Sequence, residues 1–187
     1  MTSVLIVEGA ELTGKSYVIS QVYEYIEQRY NTDPRFLNGC HWFNCDVGIF
    51  GGSYGRLCIE KYVELAEALR DRHLIFEKFH ITDAAYHQLY KHSIMNYADI
   101  EKRLTLVGAK VLFCSIEASE ELFARRLSDR IGLYPHYRRI AKEPREYIQQ
   151  QQEYQSLIQQ STLPVLTVDT TTLPNPEAVK KIIDWLG

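Results

Sequence analysis

Five short apolar runs punctuate the chain: Val4 to Val7, His41 to Cys45, His73 to Phe76, Lys110 to Ile116 and Pro164 to Val168. They are short and rich in Val, Ile, Leu and Phe, which suits strands covered on both faces, as the strands of a parallel sheet are. Between the runs, apolar positions recur at helical spacing. Gly14 to Tyr30 sets Val18, Ile19, Val22 and Ile26 on one stripe, and Leu57 to Leu69 does the same with Tyr62, Leu65 and Leu69. Ser119 to Leu127 and Glu143 to Gln160 follow the same rule. Strand alternating with helix predicts an α/β sandwich on a parallel sheet with right-handed crossovers.

At 187 residues the chain has the length of one domain, given a typical size of about 150 residues, and residues 1–187 are read as a single unit. Hydrophobic residues make up 45% and charged residues 24%, which excludes disordered, collagen-like and coiled-coil chains. Lys plus Arg total 21 against 24 for Asp plus Glu, a net charge of -3. That balance argues against a dedicated binder of nucleic acid or of an anionic membrane. Cys40, Cys45, Cys58 and Cys114 form no Cys-x-x-Cys pair and have no His at zinc-ligand spacing. Their density is low for a disulfide-stapled domain, Cys40 and Cys45 read as small core residues, and no signal peptide or membrane span is visible, so a reduced, cytoplasmic protein is expected. The Gln149 to Gln152 run reads as a solvated helix face. Asp46 to Gly55, with Gly48, Gly51, Gly52 and Gly55, reads as a flexible loop after the second strand, where open α/β sheets hold ligands.

The most specific signal is Gly9-Ala10-Glu11-Leu12-Thr13-Gly14-Lys15-Ser16, which fills every fixed position of the phosphate-binding loop pattern between an apolar strand and a helical segment opening at Tyr17. Gly9 and Gly14 permit the turn and let backbone amides face phosphate oxygens at a helix N-terminus. Lys15 supplies a charge for the β- and γ-phosphates, and the Ser16 hydroxyl a ligand for Mg²⁺. Residues 9–17 are therefore expected to bind ATP with Mg²⁺. The chain lacks the Asn-Lys-x-Asp of guanine-specific switches and the Leu-Ser-Gly-Gly-Gln of transporter ATPases. A small-molecule kinase remains the favoured reading.

A second motif is Glu77-Lys78-Phe79-His80-Ile81-Thr82, with Ala85-Tyr86 beyond it. Here the chain resembles the thymidylate kinase and deoxynucleoside kinase families. Thymidylate kinases carry Asp-Arg-Tyr/Phe-x-x-Ser followed by Ala-Tyr, and deoxynucleoside kinases carry Glu-Arg-Ser. The resemblance implies a three-layer P-loop kinase sandwich with strand order 2-3-1-4-5 and helices on both faces. It implies that Glu77 lies near Mg²⁺ and the reacting phosphates, and that Glu8 orients either a water on that metal or a neighbour's backbone. Lys78 stands where the families place an Arg on the acceptor or transferred phosphate, and it lacks the bidentate fork of Arg. By the same likeness, Arg56 and Tyr86 attend the acceptor nucleoside, and Asp46 presents a carboxylate to it. A lid spans about 126–145, in which Arg126 and Arg130 neutralise charge on the transferred phosphoryl. Asp169 and Thr170 neighbour the donor base. His80 reads as a loop position.

The reaction so implied moves the γ-phosphoryl of ATP to a (deoxy)nucleoside or its monophosphate. The partners are a small-molecule acceptor and, as in relatives, a second copy in a homodimer, with no nucleic acid or membrane. Two other readings stay open: a P-loop kinase acting on a non-nucleotide small molecule, and a nucleotide-binding regulatory module with little turnover.

Overall fold

The computed structural model describes residues 2–187. Its strands are β1 (Val4–Glu8), β2 (His41–Asn44), β3 (Leu74–Glu77), β4 (Ala109–Ser115) and β5 (Val165–Asp169). The helices are α1 (Lys15–Tyr30), α2 (Gly55–Ala68), α3 (His80–Lys91), α4 (Ala98–Leu106), α5 (Glu120–Leu133), α6 (Pro144–Gln160) and α7 (Pro176–Leu186), with a 3₁₀ turn at Pro135–Arg139. The strands form one parallel sheet in the order β2-β3-β1-β4-β5. This is the expected α/β architecture and strand order.

Burial on both faces explains the apolar runs of the three central strands, whereas the edge strands β2 and β5 are half-exposed, against the expectation, because each has a sheet neighbour on one side only. Along β1, Val4 and Ile6 join Phe76, Val111 and Phe113 in a core that also takes in Ile59, Ala85, Ile100 and Tyr154. Leu5 and Val7 join Ile75, Leu112 and Cys114 on the other face, against Val18, Ile19 and Val22 of α1 and Ile182 of α7. A smaller cluster of Ile116, Leu122, Phe123 and Tyr147 packs against Leu12, tying α5 and α6 to the loop after β1. Helix starts are encoded locally. Ser119 accepts from the Leu122 amide at 3.3 Å, Asn175 accepts from the Ala178 amide at 3.0 Å, and Glu143 with Glu146 closes a capping box on α6.

The sequence pattern did not reveal α3, α4 or α7. In α3 the buried positions include His80, Thr82 and Asp83 beside Ile81, Ala84 and Ala85, so no apolar stripe announces it. His80 is thus the first residue of a helix and not a loop position. The glycine-rich segment after β2 is also corrected. The Gly51 amide donates to Asp83 Oδ1 at 2.8 Å, and a Cβ on Gly51 would stand 2.8 Å from that of Tyr86. A Cβ on Gly55 would meet Asp83 Oδ1 at 1.9 Å. These two glycines let the segment pack tightly on α3, so this part is fixed and not a flexible loop, and residues 46–55 do not line the cleft. All four cysteines are free, and burial pushes the Cys40 and Cys114 thiols up to about 12. Among the described residues no helix is long and apolar enough to cross a membrane.

Candidate active site

The site opens at the carboxyl edge of the sheet, where β1 runs into residues 9–14. Gly9 has φ +144°, and a Cβ there would stand 2.5 Å from the Cys114 carbonyl oxygen, so only glycine fits beside β4. Gly14 takes the left-handed conformation (φ 78°) that turns the chain into α1. No side chain caps α1 and no acidic residue lies in its first turn, so its orphan amides are left open to an anion.

Lys15 is buried, and its ammonium folds back to donate to the Gly9 and Ala10 carbonyls at 2.7 and 2.5 Å. Burial, and then repulsion from Lys78, lower it to about 8. Among the described residues it forms no ion pair, so its charge is held by dipoles that an anionic ligand can replace. Opposite it, the Ser16 hydroxyl lies 3.5 Å from Glu77 Oε1. One hydroxyl and one carboxylate on the cleft wall are the hard oxygen donors that suit Mg²⁺, which keeps most of its waters.

Lys78 follows β3 in a left-handed conformation (φ 57°) and reaches Asp46 Oδ2 at 3.1 Å, joining the ends of β2 and β3. Tyr86 lies near this pair. Its hydroxyl is pushed up by burial and then by the carboxylates of Glu11 and Asp46. Glu11, Asp46, Lys78 and Tyr86 are thus brought into one neighbourhood, in which Glu11 and Lys78 line the cleft described below and Asp46 and Tyr86 do not.

Two expected residues are placed elsewhere. Arg56 does not line the cleft. It is held by Glu60 at 3.1 Å, by Asp99 at 2.5 Å and by the Asn96 carbonyl at 2.8 Å, so its charge is already satisfied. Glu8 is fully buried away from the cleft and, of its two expected roles, takes the one of orienting a neighbour's backbone. Its Oε1 accepts from the amides of Phe79, Ile81 and Thr82 at 2.9, 3.2 and 3.4 Å, and its Oε2 accepts from the Thr82 hydroxyl at 2.5 Å. It caps α3 from β1, and burial raises its pKa despite those bonds and His80.

The two arginines expected in a lid both lie on α5 and differ in their partners. Arg126 donates to the Leu12 carbonyl at 2.9 Å, to that of Thr171 at 3.0 Å and to that of Thr170, bridging the phosphate loop to the segment after β5. Arg130 lies over the rings of Tyr134 and Tyr137, at 4.5 and 5.4 Å from their centroids. The Thr170 hydroxyl is within 2.5 Å of the Thr13 carbonyl oxygen and 3.0 Å of that of Ser115, while Asp169 accepts from the Thr171 amide at 2.7 Å. Both brace the phosphate loop and its flank, while Thr171, Thr172 and Leu173 line the cleft.

The cleft encloses about 1220 Å³. Lys15, Lys78, Arg125, Arg126 and Arg130 line it against Glu11, Glu77 and Asp129, so it is cationic in a chain of net charge -3. Sequence reasoning missed Trp42 and Asn44, the outward positions of edge strand β2, and Tyr134 and Tyr137 beyond α5. The half-exposed alternation of β2 was the available signal for the first pair; a Tyr-Pro-x-Tyr after a basic helix signals nothing alone.

No protein-family model matches the chain, and no curated protein matches it in sequence. Solved structures match it along nearly its full length. The YorR protein of Bacillus subtilis, in complex with phosphorylated GDP, is 18% identical with a TM-score of 0.67, covering 98% of this chain and 95% of that one. Deoxyadenosine kinase from M. mycoides with bound dCTP is 13% identical with a TM-score of 0.57, covering 98% of each. Shikimate kinase from Bacteroides thetaiotaomicron is 12% identical with a TM-score of 0.56, again covering 98% of each. These likenesses, together with this chain's β2-β3-β1-β4-β5 parallel sheet and the loop between its first strand and helix, leave one conclusion about architecture: this chain has the P-loop kinase fold.

Proposed function

We propose that the protein is an ATP- and Mg²⁺-dependent phosphotransferase whose acceptor is a (deoxy)nucleoside or its monophosphate. The observation that supports it most is the convergence, on one cationic cleft, of an uncapped helix N-terminus, the Lys15 ammonium and the Ser16–Glu77 pair. Backbone amides of residues 9–16 bind the phosphates. Lys15 leaves the Gly9 and Ala10 carbonyls for the β- and γ-oxygens, and Ser16 with Glu77 would hold Mg²⁺, which would neutralise charge developing on the phosphates. On the far side, Lys78 and Asp46 meet the acceptor. The bond between the γ-phosphorus and the ADP oxygen breaks and a bond to the acceptor oxygen forms. If that oxygen is a hydroxyl, its proton passes to the Asp46 carboxylate. Tyr86 beside this pair supplies an aromatic wall for a base, and the kinase of similar fold that holds dCTP accords with a nucleotide-sized occupant.

One observation favours a second reading. Arg56, the residue expected at the acceptor base, is spent on Glu60 and Asp99 outside the cleft, which suits a kinase of a non-nucleotide alcohol. An ATP-consumption screen over deoxynucleosides, their monophosphates, sugars and hydroxy acids separates the two. Turnover with the first two classes, reduced at least about 100-fold by Lys15→Ala, supports the nucleotide reading. Turnover confined to sugars or hydroxy acids supports the alternative, and none from folded wild-type protein defeats both.

A further inference from the structure

Arg130 presents a difficulty for any role in phosphoryl transfer. It is exposed near the end of α5, forms no ion pair among the described residues, and carries about 2 kcal/mol of side-chain rotamer entropy that must be lost on fixing it. An arginine so placed contributes little to a transition state unless something fixes it beforehand.

The structure supplies such a fixture. The Tyr137 hydroxyl donates to Glu11 Oε2, within the phosphate loop. The Tyr137 ring is 8% exposed, and the Arg130 guanidinium lies 5.4 Å from its centroid with Tyr134 on the same cation. Both ends of this link are rigid. The Glu11 amide donates to Gln150 Oε1 on α6 at 2.8 Å, and the carbonyl of the next residue, Leu12, accepts from Arg126. On the tyrosine side, Pro135 opens the 3₁₀ turn and the Tyr137 amide donates to the Tyr134 carbonyl at 2.9 Å, which holds the two rings in fixed relation. Downstream, the Lys142 amide donates to the Tyr147 hydroxyl at 3.0 Å and its ammonium reaches the Tyr90 hydroxyl, so the segment leaves along α3 and α6 already pinned.

We infer that Tyr137 is a positioning residue: through its hydroxyl on Glu11 it ties Arg130, and the segment bearing it, to the phosphate loop. The inference rests on the phosphotransferase reading above and adds a residue that the sequence did not single out. Tyr137 touches no reacting atom. It couples the lid to the loop, so that Arg130 is aimed before the transition state forms.

The test uses Tyr137→Phe, which keeps the ring under Arg130 and removes only the hydroxyl. With an acceptor that turns over, kcat should fall about 10–100-fold while KM for ATP moves less than about threefold, because the arginine acts on charge that develops late. In a Glu11→Ala background, adding Tyr137→Phe should change kcat less than about twofold, because the link is already cut. Independently of turnover, hydrogen exchange of amides 136–141 should quicken at least about fivefold in Tyr137→Phe. An unchanged kcat, or fully multiplicative effects of the two substitutions, overturns the inference. So does unaltered exchange, which decides the matter even where wild-type protein consumes no ATP, the result that sinks the kinase reading instead.

Discussion

In the proposed reaction the chemistry turns on Lys15, and its surroundings set a pH dependence. Burial and the neighbouring Lys78 bring its ammonium down to about 8, against 10.5 in water. The free protein therefore loses this charge as pH rises through 8, whereas a bound triphosphate favours the protonated form. Nucleotide binding should take up a proton near pH 8, and ATP affinity should weaken with a limiting slope of about tenfold per pH unit above it. Calorimetric titrations in buffers of different ionisation enthalpy measure both quantities. Lys15→Met should abolish the slope; a flat wild-type profile between pH 7 and 9.5 would count against this account. At the same scale, two glutamates at strand ends illustrate what linear order hides. Glu77 pairs in register with Val7 and shares its face, toward α1 and Ser16, whereas Glu8 is one residue further along β1 and points to the opposite face, under α3. A single step along a strand separates a cleft carboxylate from a helix cap.

Among the elements, α3 and α4 depend on polar side chains that are buried and paired. Glu101 of α4 accepts from the Ser161 hydroxyl at 2.6 Å and from the Thr162 amide and hydroxyl at 2.7 Å each, and its Oε1 lies 3.1 Å from His80 Nε2. One carboxylate thus joins the start of α3 to the turn between α6 and β5. Burial raises its pKa, but the hydrogen bonds from His80, Ser161 and Thr162 outweigh burial and hold it at about 2. Its folded value lies below its unfolded one, so the stabilisation is full above about pH 4.5 and is lost as pH falls toward 2. The contribution is of the order of 3 kcal/mol. Glu101→Gln should flatten the pH dependence of urea unfolding between pH 5 and 2.5 at some cost in stability at pH 7, and an unchanged acid limb would refute it. The same polarity explains which helices were legible. Val18, Ile19, Val22 and Ile26 announce α1, while α3 buries His80, Thr82 and Asp83, residues whose burial makes sense only once Glu8, Glu101 and Tyr97 are beside them.

For the whole molecule, the distribution of charge matters more than its sum. A chain of net charge -3 directs Lys15, Lys78, Arg125, Arg126 and Arg130 into one cleft, where low-dielectric walls focus their field. Association with ATP should therefore slow several-fold as ionic strength rises from about 0.05 to 0.5 M, as stopped-flow with a fluorescent analogue would show. An on-rate indifferent to salt would mean that the carboxylates in the cleft cancel the field. Much of the architecture was written locally: apolar runs specify strands, helical stripes specify most of their crossovers, and Gly9 to Ser16 specifies the glycine turn from β1 into α1, because each depends on neighbours within a few turns of chain. The partners of charged side chains depend on segments far apart in sequence. Glu8 found the α3 amides and Tyr137 found Glu11, because folding pairs buried polar groups with whatever the topology brings within reach, Arg56 found Asp99 at the surface by charge, and no linear pattern records those distances.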